Sequence, residues 1–225
     1  MRSILIPSKF EAKLILQNMQ NAIHYELDGI DCYLGELNDK TISIAIIGMG
    51  PPHAIDRADK FIRKTGPTDI VLAGFVGALS PYLQRGEIII DPHQTRVYTS
   101  EKLVGTPAEK SAIYAKTRRE AVDMEGSYIA ETANNYRLKC TAVRAVSDLA
   151  DEALPMDILT HCYDQGRGRY TPLKLVRYLV RHPGKVQELR NFLQPLKQVR
   201  EDLTQAVIEF VDQTPEQMLT EHAKE

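Results

Sequence analysis

The chain has 225 residues, 43% hydrophobic and 26% charged, with a formal net charge of −2 at pH 7. That length supports a sizeable core, that composition excludes a disordered or collagen-like chain, and the near-neutral charge gives no global attraction to nucleic acid. Its three cysteines, Cys32, Cys140 and Cys162, lie far apart without a CxxC pair, so neither a disulfide framework nor a zinc site is indicated and a reducing compartment fits.

In chain order, β-type runs recur as "SILIP", "TISIAIIG", "TDIVLAG", "GEIIIDP", "REAVDM" and "CTAVRAVSD". Helix-period segments stand between several of them, at Phe10 to Asn21, His53 to Thr65, Pro107 to Lys116 and Tyr128 to Tyr136. The alternation predicts an α/β fold, and near-continuous apolar strands predict a central, mainly parallel mixed sheet flanked by helices on both faces. The apolar run before Pro7 is too short for a signal-peptide core, and no stretch holds eighteen consecutive apolar residues, so the expectation is a cytoplasmic protein.

Beyond Asp151 the β signals stop and the sequence looks helical or irregular. The expected division is a core over 1–151 and a helical C-terminal extension over 152–225 packed on the same domain. From Arg167 to Arg200 nine Lys/Arg face the single acid Glu188, whereas from Glu201 to Glu225 seven acids face only Lys224. Such charges belong to solvated helix faces or to a basic surface for an anionic partner or lipid headgroup. In "TPLKLVRYLVRHPGKVQELR", Leu175 with Leu179 and Val176 with Val180 are four residues apart and interleave with Lys174, Arg177 and Arg181.

Ligands of α/β sheets bind at the carboxyl ends of strands, so the residues closing each run are the candidates. "IAIIGMGPPHA" ends in Gly48-Met49-Gly50 before a proline-led helix entrance, where free N–H groups can meet a polar or anionic group. "IVLAGFVGAL" carries Gly74, Phe75, Val76 and Gly77, a place where backbone can approach a ligand closely. "AVDMEGSYIA" puts Asp123 and Glu125 one residue apart, on one face if the strand continues that far. "AVRAVSDLAD" closes in Ser147 and Asp148 after Arg144. An acid at a strand end also serves as a helix N-cap, the alternative reading for Asp123 and Asp148, whereas glutamate is not a preferred cap at position 125.

These motifs, in this order and spacing over about Ile4 to Asp151, resemble the purine and uridine phosphorylase superfamily, which includes methylthioadenosine/S-adenosylhomocysteine nucleosidase. "VDMEGS…RAVSD" is the most specific part. "TPAEK", "ADEALP" and the basic tail look closest to the hopanoid-associated phosphorylase branch, the adenosylhopane nucleosidases, with futalosine hydrolases as another relative. The resemblance implies a three-layer nucleoside phosphorylase-type fold, a homodimer, and cleavage of a purine–ribose bond without metal or organic cofactor.

It also implies roles. Glu125 would bind ribose hydroxyls and favour the developing oxocarbenium ion, and Asp148, beside Ser147, would donate a proton toward purine N7. Glu11 in "ILIPSKFEA" would orient or deprotonate the attacking water, with Arg144 holding carboxylate and nucleophile. Met124 would pack against the ribose, or simply belong to the core. Gly74 and Phe75 stand in the loop that holds phosphate in phosphorylases, and Phe75 replaces the anion-binding hydroxyl there, which favours water over phosphate. An aspartate at position 148 suits adenine. Phosphorolysis, or a nucleoside-binding regulatory protein with little catalysis, are the alternatives. The partner expected is a small-molecule nucleoside and no nucleic acid, and the basic C-terminal helices offer a peripheral membrane contact.

Overall fold

The computed structural model of the chain describes residues 1–164 and 169–213. Arg167 of the basic segment and the end of the acidic one, 214–225, lie outside the described residues.

A short strand, β1 (Ser3–Ile6), leads into α1 (Lys9–Asn18), which Ser8 caps by accepting from the Glu11 N–H at 3.3 Å. There follow β2 (Gln20–Leu27), β3 (Ile30–Leu37), β4 (Lys40–Ile46) and α2 (Pro51–Thr65), the last with proline in its first turn and left-handed Gly66 at its end. Next come β5 (Ile70–Ala78), β6 (Ile88–Asp91) and β7 (Val97–Thr99). A Thr106–Glu109 capping box then starts α3 (Pro107–Thr117). The sequence continues through β8 (Ala121–Asp123), α4 (Gly126–Asn135), β9 (Cys140–Asp148) and α5 (Met156–Cys162). The last elements are a two-residue ladder, β10 (Tyr163–Asp164) with β11 (Arg169–Tyr170), and three helices, α6 (Pro172–Arg181), α7 (Lys185–Leu193) and α8 (Leu196–Asp212).

The centre of the sheet is parallel, in the order β4-β1-β5-β9. Antiparallel strands lie at its margins, where β2 and β3 extend it beyond β4 and β6 pairs with β9. β8 pairs antiparallel with the end of β5 and parallel with β7. Alternate side chains divide between two layers, as the pleat dictates. Ile4, Ile6, Ile44 and Val143 face α1 and α8, whereas Leu5, Ala45 and Leu72 face α2 and α4. No helix among the described residues is long and apolar enough to cross a membrane.

Three differences from the sequence expectations have clear causes. The helix expected to reach Asn21 stops at Asn18, because Gln20 opens β2. β2 and β3 were not expected, since β2 is mostly exposed and lacks an alternating pattern; their turn is nonetheless marked by Asp28 (φ 50°) and Gly29 (φ 80°), the backbone of a tight hairpin. The β10–β11 ladder lies beyond Asp151, where no β signal was read, because two-residue strands carry no periodicity.

Helix α8 buries Leu196, Val199, Leu203, Val207, Phe210 and Val211 in the larger core cluster, so the C-terminal helices include a layer of the sheet's own cover. Leu203→Ala is expected to cost about 2–5 kcal/mol, the range for a fully buried leucine, as read by urea unfolding. A loss under about 1 kcal/mol would show that α8 is not part of the cooperative core.

Candidate active site

A cavity of about 420 Å³ opens at the carboxyl ends of β1, β5, β8 and β9. Its polar part is lined by Ser8 and Glu11, by Met124 and Glu125, and by Ser147 and Asp148, with Phe75 on β5 between them. Its other part is apolar and comes from the C-terminal helices, through Leu159, Cys162, Leu175, Leu189 and Phe192, with Tyr170 and Phe10. The volume falls within the range of small-molecule sites.

Glu11 sits in the first turn of α1 and is 7% exposed. One carboxylate oxygen accepts the Phe75 N–H at 2.8 Å and the other accepts the Ser8 hydroxyl. Burial raises the Glu11 pKa above the usual carboxylate value, against the opposing pull of Ser8, the Phe75 N–H and Arg144. The Phe75 ring meets Phe10 edge-on at 6.3 Å, so the side chain is apolar wall while its backbone serves the carboxylate.

Arg144 lies beneath, with no exposure, and donates through Nη2 to Asp123 at 2.5 Å. Its Nε and Nη1 have no acceptor among the described residues. Gly74 is its neighbour in the β5–β9 register, and a Cβ there would stand 2.7 Å from Nη1 and 3.0 Å from a Glu11 oxygen. The space that Gly74 leaves therefore goes to the guanidinium and Glu11, and not to a ligand directly.

Asp123 and Glu125 diverge, because β8 ends at Asp123 and the chain turns into α4. Asp123 Oδ2 accepts the Gly126 N–H at 2.9 Å, and its Oδ1 accepts the Thr99 hydroxyl at 2.8 Å. Thr99 in turn accepts the Ser127 N–H at 2.8 Å, so these two side chains cap α4 from outside the helix. A Cβ at Gly126 would lie 2.6 Å from Asp123 Oδ2, so the space beside this glycine is taken by the Asp123 carboxylate. Glu125 occupies the cap position itself yet its side chain bonds nothing in α4; the carboxylate accepts the Gly50 N–H at 2.7 Å, at the entrance of α2. Burial, then the Asp123 charge, push the Glu125 carboxyl up to about 8.

Asp148 ends β9, and its Oδ1 accepts the Ser147 hydroxyl at 2.5 Å. It caps no helix, since α5 begins only at Met156. Its Oδ2 accepts from Lys110 Nζ at 2.6 Å, a fully buried lysine that motif reasoning passed over. The available signal was position: Lys110 precedes Ile113 and Tyr114 by three and four residues, on the inward face of α3. Glu11, Met124, Glu125, Phe75, Ser147 and Asp148 thus share one cavity, with Arg144 and Gly74 beneath its floor. Among the described residues no group of three His, Cys, Asp or Glu could hold a metal ion.

The model of the family described as the phosphorylase superfamily matches residues 2–91 and 90–165. Among solved structures, the chain is similar to 5′-methylthioadenosine/S-adenosylhomocysteine nucleosidase from Neisseria meningitidis in complex with methylthio-immucillin-A. That match has 17% identity and a TM-score of 0.68, and covers 93% of this chain and 97% of that one. The corresponding Campylobacter jejuni nucleosidase gives 15% identity and a TM-score of 0.69 over 94% and 98%. Futalosine hydrolase of Helicobacter pylori gives 17% and 0.61 over 67% and 85%.

The Glu125 carboxyl has a consequence for stability. Its folded-state pKa of about 8 lies above the ordinary 4.5, so between those values the folded chain holds a proton that the unfolded chain has released. Its contribution to stability is present below the lower value and falls as pH rises to the upper one, with a slope approaching about 1.4 kcal/mol per pH unit. Glu125→Gln should remove this dependence, so its stability gain over wild type, measured by denaturant unfolding, should grow from pH 5 to pH 8. A pH-independent difference would contradict the raised value.

Proposed function

Since the chain belongs to the phosphorylase superfamily, we propose that it is a nucleosidase, cleaving the N-glycosidic bond of a purine nucleoside, preferably of adenine, that carries a 5′ substituent. The observation that carries this reading is the convergence of Glu11, Glu125 and Asp148, from three separate strand ends, on one cavity. A departing purine needs a proton and a forming oxocarbenium ion needs negative charge, and these requirements fall at opposite ends of the bond. Asp148 supplies the proton toward N7 and Glu125 accepts the ribose hydroxyls. Glu11, held by Ser8 and the Phe75 N–H, takes the proton of the attacking water, which the free nitrogens of Arg144 help to orient. Oxygen from water bonds to C1′ as the C1′–N9 pair leaves with the base.

Water is preferred over phosphate because the Phe75 ring closes the side where a phosphorylase would offer a hydroxyl. The nucleosidase and hydrolase names of the similar structures point the same way. Asp148→Asn should lower kcat for adenine nucleosides by about 10²-fold or more with the fold retained. Free sugar should form in phosphate-free buffer at an undiminished rate. Strict phosphate dependence with a sugar 1-phosphate product would assign phosphorolysis, and nucleoside binding without base release would assign a binding protein.

The apolar arm of the cavity favours a large apolar 5′ group, for which adenosylhopane is the proposed substrate. On α6 Leu175 lines that arm, whereas Leu173, Val176 and Val180 are exposed beside Arg177 and Arg181, a face suited to an anionic membrane surface. Salt-sensitive binding to anionic liposomes and cleavage of adenosylhopane in preference to methylthioadenosine are expected. Preference for methylthioadenosine with no liposome binding at low salt would return α6 to a packing role. A cytoplasmic homodimer completes the proposal, and light scattering reads the dimer.

A further inference from the structure

Lys110 is fully buried, and the proposed chemistry leaves it without a task. Its Nζ donates to Asp148 Oδ2 at 2.6 Å, to the Leu149 carbonyl at 2.6 Å and to the Glu152 carbonyl at 2.9 Å. Three donors meet three acceptors, so the ammonium is satisfied. Two of those acceptors lie in the segment directly after β9, which ties that segment and Asp148 to α3.

Resting on the nucleosidase reading, we infer that Lys110 acts through Asp148, supplying the proton that Asp148 delivers to the leaving purine. The same contacts serve two forms of the pair. With the proton on nitrogen, an ammonium faces a carboxylate. With the proton on Asp148, the amine keeps its two N–H donors on the Leu149 and Glu152 carbonyls, and its lone pair accepts the Asp148 O–H. Neither form strands a hydrogen-bonding group. A carboxylate held by a permanent cation would have no proton to give, whereas a lysine is a cation that can release one.

The balance is complete. As the C1′–N9 bond breaks, its electron pair goes to the base, and the proton that N7 receives passes from Lys110 Nζ to Asp148 and from Asp148 to N7. Lys110 is left as a neutral amine and Asp148 as a carboxylate. The attacking water gives its oxygen to C1′ and its proton to Glu11. Solvent then removes the Glu11 proton and restores one to Lys110, leaving only free base and sugar as net products.

Lys110→Arg keeps a cation and donors but holds its protons, and Lys110→Met removes the supply. Each variant is assayed with an adenine nucleoside and with a 4-nitrophenyl riboside bearing the same 5′ group, whose leaving group departs without a proton. In Lys110→Arg, kcat for the nucleoside should fall by about 10²-fold or more with KM within about threefold, while the nitrophenyl riboside loses less than about fivefold. Should the larger side chain prevent folding, as read by circular dichroism, Lys110→Met decides by the same comparison. Equal losses on both substrates, or full nucleoside activity in folded Lys110→Arg, would overturn the proton role while leaving the nucleosidase reading intact. Absence of base release by the wild type would overturn both.

Discussion

The ion pair between Arg144 and Asp123 is the constraint on which the site depends. It joins β9 to the end of β8 at 2.5 Å, with Arg144 wholly buried and the Asp123 side chain 1% exposed. An isolated charge in such a place would be prohibitive, so removing either partner costs about 3–5 kcal/mol in comparable pairs. Asp123 and Thr99 fix the start of α4, and that start sets where Glu125 stands. Arg144 meanwhile pulls down the raised carboxyls of both Glu11 and Glu125. One guanidinium thereby makes three carboxyl groups tolerable in a small dry volume.

This arrangement accounts for the separate behaviour of two acids that stand one residue apart in sequence. Asp123 is consumed by structure, since each of its oxygens accepts a bond. Among the described residues the Glu125 carboxylate is held by the Gly50 N–H alone, and both burial and the neighbouring Asp123 charge oppose its ionisation. A carboxyl kept under that stress gains from any ligand that donates hydrogen bonds to it, which is what vicinal sugar hydroxyls do. The Gly50 N–H at the α2 entrance is a helix N-terminal donor, and it meets an acid of the protein itself.

Much of this was legible in the chain. The buried central strands announce themselves as apolar runs, and the runs that hold Gly74, Asp123 and Asp148 named the strands that converge on the cavity, although β5 continues past Gly74 to Ala78. What escaped was of another physical kind. β2 makes its pairings with backbone groups and few buried side chains, so only its Asp28–Gly29 turn left a mark. Lys110 reads as an ordinary charged helix residue until the fold places Asp148 and two carbonyls around it. Gly74 misled for a related reason: sequence says that a side chain is missing, and only the packing says whether ligand or protein fills the room. At Gly74 the Arg144 guanidinium and the Glu11 carboxylate fill it.

The C-terminal helices take two duties that composition alone had blurred. Helix α8 covers the sheet with Leu203 and Val207, so its charged residues are the outer face of a core element. Helices α5, α6 and α7 contribute Leu159, Leu175 and Phe192 to the apolar arm of the cavity and bury far less themselves. Charge chemistry is thus held by the sheet, whose strand ends are locked by pairing and by the Arg144 ion pair. The apolar arm is formed by short helices, of which α5 packs on α6 and α7 on α8. Divergence in those helices would reshape the apolar arm without moving Glu125 or Asp148, because no described residue of α5, α6 or α7 bonds either carboxyl.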